Sequence, residues 1–206
     1  MPRLTLIYVF VFLISKISSA SIIESIQSGN WTSPDTWLKG VKPLNNDTVL
    51  IHHGDTIFIN SSKASCVHLL NEGIIYFKSA SNQLSSAVSL FNDGTITGSS
   101  LGSFYTKSLT INGNSNIDKC DLNVDSLEVI DSLSFTSNSG TKTFGMAINN
   151  GFIDNKTNEN IALNGNLINN GKIAFKEGKI SFLKSAEIYG SMDVHEIEIT
   201  NSITNN

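Results

Sequence analysis

Five carboxylates crowd residues 118–131, as Asp118, Asp121, Asp125, Glu128 and Asp131, and "MDVHEIEI" near the end of the chain adds Asp193, His195, Glu196 and Glu198. Such groups could hold calcium or supply a general acid and base to a polysaccharide, provided they meet on one face. The first cluster has no EF-hand order, and its members mostly point to different sides, so it reads as a solvated face. In the second, strand alternation sets Asp193 and His195 on one side and Glu196 and Glu198 on the other. Two ligands do not make a metal site. His52 and His53 are adjacent and face opposite ways; one is expected under the nearby tryptophans and the other in solvent. No Gly-x-Ser-x-Gly elbow, phosphate loop or zinc-peptidase motif occurs. Arginine is absent after Arg3, so no bidentate clamp for a carboxylate or phosphate can be built.

The elements that would position these groups announce themselves through a repeated turn: "NEGII" at 71–75, "NDGTI" at 92–96, "NNGFI" at 149–153 and "NNGKI" at 169–173. Gly54, Gly73, Gly94, Gly113, Gly151, Gly171 and Gly190 follow at steps of 19, 21, 19, 38, 20 and 19, the double step leaving room for one more turn near Asp131–Ser132. Apolar residues recur two and four positions after most of these glycines, as in Ile75/Phe77, Ile173/Phe175 and Met192/Val194, which predicts short strands with one buried face. Leu70, Phe91, Ile111, Ile130, Ile148, Ile168 and Ile188, just ahead of the glycines, are expected to point inward as well. A unit of this length holds no private core and is stabilised by stacking on its neighbours. The fold expected is all-β, a parallel β-helix (β-solenoid) with coils of about 19–20 residues. At a strand spacing of about 4.8 Å, roughly eight coils give a rod about 38 Å long.

In a stacked coil the same bend returns at the same corner. Asn71, Asn92, Asn149 and Asn169 can then lie above one another and bond along the stack, while Gly73, Gly94, Gly151 and Gly171 are expected to relieve a positive φ angle. These residues are assigned to the fold and not to a ligand.

The segment 28–60 departs from the repeat. It holds both tryptophans, Trp31 and Trp37, followed by Gly40, Pro43 and Asp47 and two strands around "HHGD". Trp31, Trp37 and Pro43 are expected to cap the open end of the solenoid. With Pro34 and Gly54 they form a pattern that resembles the opening of secreted and cell-surface parallel β-helix proteins, including the eight-glycine domain of extracellular proteins and large surface proteins of surface-colonising bacteria. Leu38, Lys39 and the "HHGD" turn depart from that pattern. The resemblance covers roughly the first 40 residues after the leader and implies a secreted β-solenoid of the bacterial surface-adhesin type.

Export is also read from residues 1–20, where Arg3, the apolar run Leu4–Ile14 and the small residues Ser18 and Ala20 make a secretory signal. Residues 21–53 are then the cap and first strands, and 54–206 the repeats. The chain stops at "NSITNN" just after a strand, which reads as a solenoid left truncated or uncapped there. Removing Arg3 and Lys16 leaves 12 basic against 18 acidic residues, which argues against nucleic acid or an anionic membrane surface as a partner. No later segment is apolar for long enough to span a membrane. Cys66 and Cys120 read as buried thiols. Asn30, Asn46, Asn60 and Asn155 open Asn-x-Ser/Thr motifs; in a source that glycosylates them the corners there are surface loops, and in a typical bacterial host the motifs carry no meaning. Thr95-x-Thr97 and Thr141-x-Thr143 lie at different offsets from the turn, so no flat rank for ice is present.

The function expected is structural or adhesive, at a cell surface or outside the cell, with an extracellular glycan or cell-surface component as partner and no cofactor. Calcium lacks a ligand pattern. Phe104, Tyr105 and Tyr189 are expected outside, where sugar rings could stack on them. The alternative is a polysaccharide-acting β-helix enzyme, a lyase or hydrolase, whose catalytic residues the sequence does not display.

Overall fold

The computed structural model describes residues 20–136 and 140–200, with the backbone alone of 203–205. Residues 1–19 of the expected leader lie outside the described residues. The chain forms a parallel β-solenoid of about seven turns, 61% strand and 2% helix.

Each turn consists of three short runs. In one turn these are Ala64–Cys66, His68–Asn71 and Ile74–Phe77, which pair in parallel with residues 84–86, 89–92 and 95–98 of the next. The first two runs are halves of one bent strand, and the register slips at the bend, between Cys66 and His68 and between Ser86 and Ser89. Four turns beyond residues 84–98 the bend opens into a break. Ile161–Leu163 and Leu167–Asn169 are separate strands, both paired with Lys142–Asn149. A period near twenty residues is therefore three runs and their corners.

Strand alternation sorts the side chains. Leu69, Leu90, Leu109, Leu127, Ala147 and Leu167 are register partners in successive turns, and all are buried. On the third run Ile57, Ile75 and Ile96 stack in the same way, as do Leu133, Ile153 and Ile173 further along. These ladders join into one continuous core running from Ile23 to Ile188, in which each fully buried Leu or Ile contributes about 1.5–3 kcal/mol.

The residue ahead of the turn is corrected by this alternation. Leu70, Phe91 and Ile130 are 36%, 49% and 42% exposed, and Ile148 and Ile168 are half-buried; Ile111 and Ile188 alone of the expected set lie inside. Because Leu69 and Asn71 both point inward, Leu70 must point out. The asparagine takes the inner corner position, where its amide can bond the backbone of the bend.

At the amino-terminal end Trp31 and Trp37 are buried and meet edge to face at 5.4 Å, and Trp37 Nε1 donates to the Trp31 carbonyl at 3.0 Å. The short 3-10 turn Pro34–Thr36 lies between them, and Pro43 is buried as well. Buried Asp47 accepts from the backbone N–H of Ser21 at 2.9 Å and of Leu44 at 2.8 Å. That fixes the excursion 31–47 before Thr48–Ile51 stacks on Ile22–Glu24. Among the described residues no helix is long and apolar enough to cross a membrane.

Candidate functional site

The inner corner column runs Ile51, Asn71, Asn92, Ile111, Val129, Asn149 and Asn169. Asn71 Nδ2 donates to Asn92 Oδ1, and Asn149 Nδ2 to Asn169 Oδ1, each at 2.7 Å. Two asparagine pairs are thus separated by two apolar residues. Asn92 turns its amide instead to Ser115 Oγ and the Gly94 carbonyl, both at 2.9 Å. Asn149 also donates to the Lys172 carbonyl at 3.1 Å and accepts from Gly151 N–H at 3.2 Å. Every one of these asparagines is buried, so the column faces the core and offers nothing to a ligand.

The glycines of the turn act differently from expectation. Gly73, Gly94, Gly151 and Gly171 do not have positive φ; that conformation belongs to Gly40, Gly54, Gly140, Gly178 and Gly190. What the four need is room. A Cβ on Gly94 would overlap the carbonyl of Gly73, one on Gly151 that of Asp131, and one on Gly171 that of Gly151. Adjacent turns approach too closely at this corner for any side chain.

Among the described residues the apolar interior is closely filled. The void beside Ala147, lined by Leu127, Phe135, Phe144 and Leu167, amounts to about 20 Å³. The two thiols are inside too: Cys66 and Cys120 are free and buried, and burial pushes each up to about 12. At neutral pH neither is a nucleophile.

Lys142 is fully buried, at an inward position between Leu122 and Ile161. Its ammonium donates to the Cys120 carbonyl at 2.9 Å and lies 3.2 Å from Glu159 Oε1, itself buried. Asn155 holds the loop that brings Glu159 in, donating to the Glu159 carbonyl at 2.8 Å and accepting from Thr157 N–H and Oγ–H at 3.1 and 2.9 Å. Sequence reasoning passed over this lysine. The signal was its position two residues ahead of Phe144, in phase with inward residues of the turns on either side.

The acidic residues do not converge. Asp118 is buried and accepts from Thr136 N–H at 2.7 Å and Thr136 Oγ–H at 2.6 Å. Asp121 accepts from Thr141 N–H at 2.7 Å, while Asp125 and Asp131 are exposed. Asp193 and His195 border one shallow depression, and His195 also borders another with Glu177, Lys179 and Glu196. Glu198 is taken by Lys179 Nζ at 2.6 Å and Ser181 Oγ at 2.8 Å. The Lys179 hydrogen bond holds the Glu198 carboxyl below its ordinary value, and the same bond raises Lys179. His52 is not beneath the tryptophans; it pairs with Glu24 at 3.2 Å and, like His53, reaches solvent, because both lie in a corner and not in a strand. Among the described residues no three His, Cys, Asp or Glu side chains gather as a metal site.

Of the three aromatics expected outside, Phe104 is fully buried, since it shares the inward phase of Leu84 and Leu122. Tyr189 is 37% exposed and donates to Glu187 Oε2 at 2.8 Å. Tyr105, 44% exposed, stands at the middle of an outer rank with Ser85 on one side and Asn123 on the other. Lys107 and Asp125 at the bend complete an open cleft around its ring. This cleft gathers an aromatic face, an amide, a hydroxyl, an ammonium and a carboxylate along the stacking direction. Flat apolar C–H faces can stack on such a ring while hydroxyls bond to the polar groups beside it.

Comparison of the chain with protein-family models, curated proteins and solved structures finds no match.

Proposed function

We propose that this chain is an exported β-solenoid with a structural and adhesive role at a cell surface or outside the cell, binding carbohydrate in the Tyr105 cleft. The observation that carries the reading is the half-exposed Tyr105 ring between Ser85 and Asn123, with Lys107 and Asp125 at its edge. The cleft follows the direction in which turns stack, about 4.8 Å per turn, so a polymer laid along it would meet successive outer residues. The amino-terminal pattern of Trp31, Trp37, Gly40 and Pro43 supports export, through its similarity to the opening of surface β-helix proteins. The buried asparagine corners and the ladders of Leu and Ile supply the rigidity that a surface module needs.

The test is a glycan array probed with residues 21–206 and with Tyr105→Ala, the same samples being assayed for loss of polymer length with and without calcium. Capture by the parent and at least tenfold weaker capture by the variant is the expected result. Capture unchanged in Tyr105→Ala would overturn the cleft. Cleavage would favour the enzyme reading, for which the depression bordered by His195, Glu177 and Glu196 brings carboxylates and an imidazole to one surface.

A further inference from the structure

The four Asn-x-Ser/Thr motifs look alike in sequence, and the structure separates them. Asn155 is fully buried, with its amide and carbonyl both committed to the Glu159 loop. Asn30 is half-buried in a strand; its Oδ1 accepts from Lys78 Nζ at 3.0 Å, and the middle residue of its motif is the core Trp31. Asn46 is half-buried, followed by buried Asp47 and by Thr48, which opens a strand. Asn60 differs. It is exposed, it follows the end of the strand Thr56–Ile59, and Ser61 and Ser62 carry the chain round an outer corner.

Asn60 also has a platform. Phe58 lies two residues earlier on extended backbone, so its ring and the Asn60 amide project to the same outer side. That ring is fixed by Tyr76, edge to face at 5.7 Å, and by the Lys78 ammonium 4.4 Å from its centre. The Asn60 amide is steadied by Thr32, donating Nδ2–H to Thr32 Oγ1 at 2.9 Å. One of its two N–H bonds is enough for that contact, which leaves the other for substitution.

We infer that Asn60 is an N-glycan acceptor whose first sugar rests against Phe58, and that Asn155, despite its motif, is not one. The donor is a lipid-pyrophosphate-linked oligosaccharide. Asn60 Nδ2 forms a bond to the sugar C1 and loses one proton, the C1–O bond to phosphate breaks, and the lipid pyrophosphate leaves. The acceptor is modified while the corner is accessible; a glycan on Asn155 would have to be expelled from the core before the Lys142–Glu159 turn could close.

The inference rests on export only for access to the modifying enzyme. The experiment therefore secretes two forms from a eukaryotic host that performs this modification: the full 206-residue chain, and residues 20–206 behind the host's own leader. Peptide mass mapping before and after enzymatic glycan release in heavy-oxygen water reads occupancy at each site. The expected result is label at Asn60, lost in Ser62→Ala, and none at Asn155. Asn60 found bare in secreted protein, Asn155 labelled, or occupancy at Asn30 or Asn46 above that at Asn60 would each overturn it. For the platform, glycan release is expected to lower the melting temperature of the parent and to leave that of Phe58→Ala unmoved. An equal fall in both would reduce Phe58 to a packing residue; Phe58→Leu serves as the second variant should the alanine form fold poorly.

Discussion

Asn149 Nδ2 donates to Asn169 Oδ1 at 2.7 Å across one turn of the solenoid, as Asn71 does to Asn92 four turns nearer the other end. Between the pairs the same inner position holds Ile111 and Val129. A corner of this fold therefore accepts either an amide bonded to the next turn or an apolar side chain, and the two kinds follow one another along the column. Asn149→Ala strands the Asn169 carbonyl and the Lys172 carbonyl, with an expected cost of about 1–3 kcal/mol. The double variant Asn149→Val/Asn169→Val should lose less than the sum of the two single changes, as read by denaturant unfolding. Strict additivity would mean that the pair is not coupled.

Close approach and backbone conformation separate two kinds of glycine. Gly171→Ala places a methyl on the Gly151 carbonyl, an overlap expected to destabilise by about 1–3 kcal/mol. Gly40 has φ +62° and nothing within 4 Å, so Gly40→Asn should be nearly neutral, because asparagine tolerates that region. Thermal melts of the two variants decide between these outcomes.

The buried Lys142–Glu159 pair sits in a column of Leu and Ile. Removing one partner leaves a charge in the core; Glu159→Gln is expected to lose about 3–5 kcal/mol. Replacing both with apolar residues, Lys142→Met with Glu159→Leu, should recover most of that loss, although the loop held by Asn155 also uses the Glu159 backbone. Chemical denaturation of the two single variants and the double closes the cycle.

At the far end, Lys179 and Glu198 give a pH signature. Glu198 is lowered by its bond to Lys179, so its contribution is present above its ordinary value of 4.5 and fades as pH falls through the depressed one. Lys179 is raised by the same bond, so its contribution is present below 10.5 and is lost as pH rises through the raised value. Melts from acid to alkaline pH should show a Lys179→Met difference that is small, because the pair is exposed, confined to that window and diminished by salt. A difference that persists at acid pH would assign the effect to packing of the lysine stem.

The repeat was legible in the sequence because stacking demands it. A glycine where turns approach most closely, and apolar residues two and four positions later, are local requirements that most turns meet separately, Asp131 standing in for the glycine in one of them, so they recur along the chain. What those residues do was not legible. Gly73 and its equivalents read as positive-φ glycines, whereas the constraint is the carbonyl of the turn below, roughly twenty residues earlier in the chain. Leu70 and Phe91 read as core because they are apolar and flank the bend, yet the phase set by Asn71 and Asn92 turns them out.

The candidate cleft shows the same division. Tyr105, with its neighbours in sequence, fixes only that its ring and that of Phe104 point opposite ways; which of the two is outside depends on the registration of that strand against Leu84 and Leu122. Ser85, Asn123 and Asp125 come to Tyr105 from turns about twenty residues away on either side, and Lys142 finds Glu159 by the same step. The sequence by itself determined the coil, its period and its corners, since these follow from steric and alternation rules within one turn. The tertiary structure alone decided which side chains meet, because in a solenoid every functional neighbourhood is assembled across turns by parallel register, and register is a property of the stack.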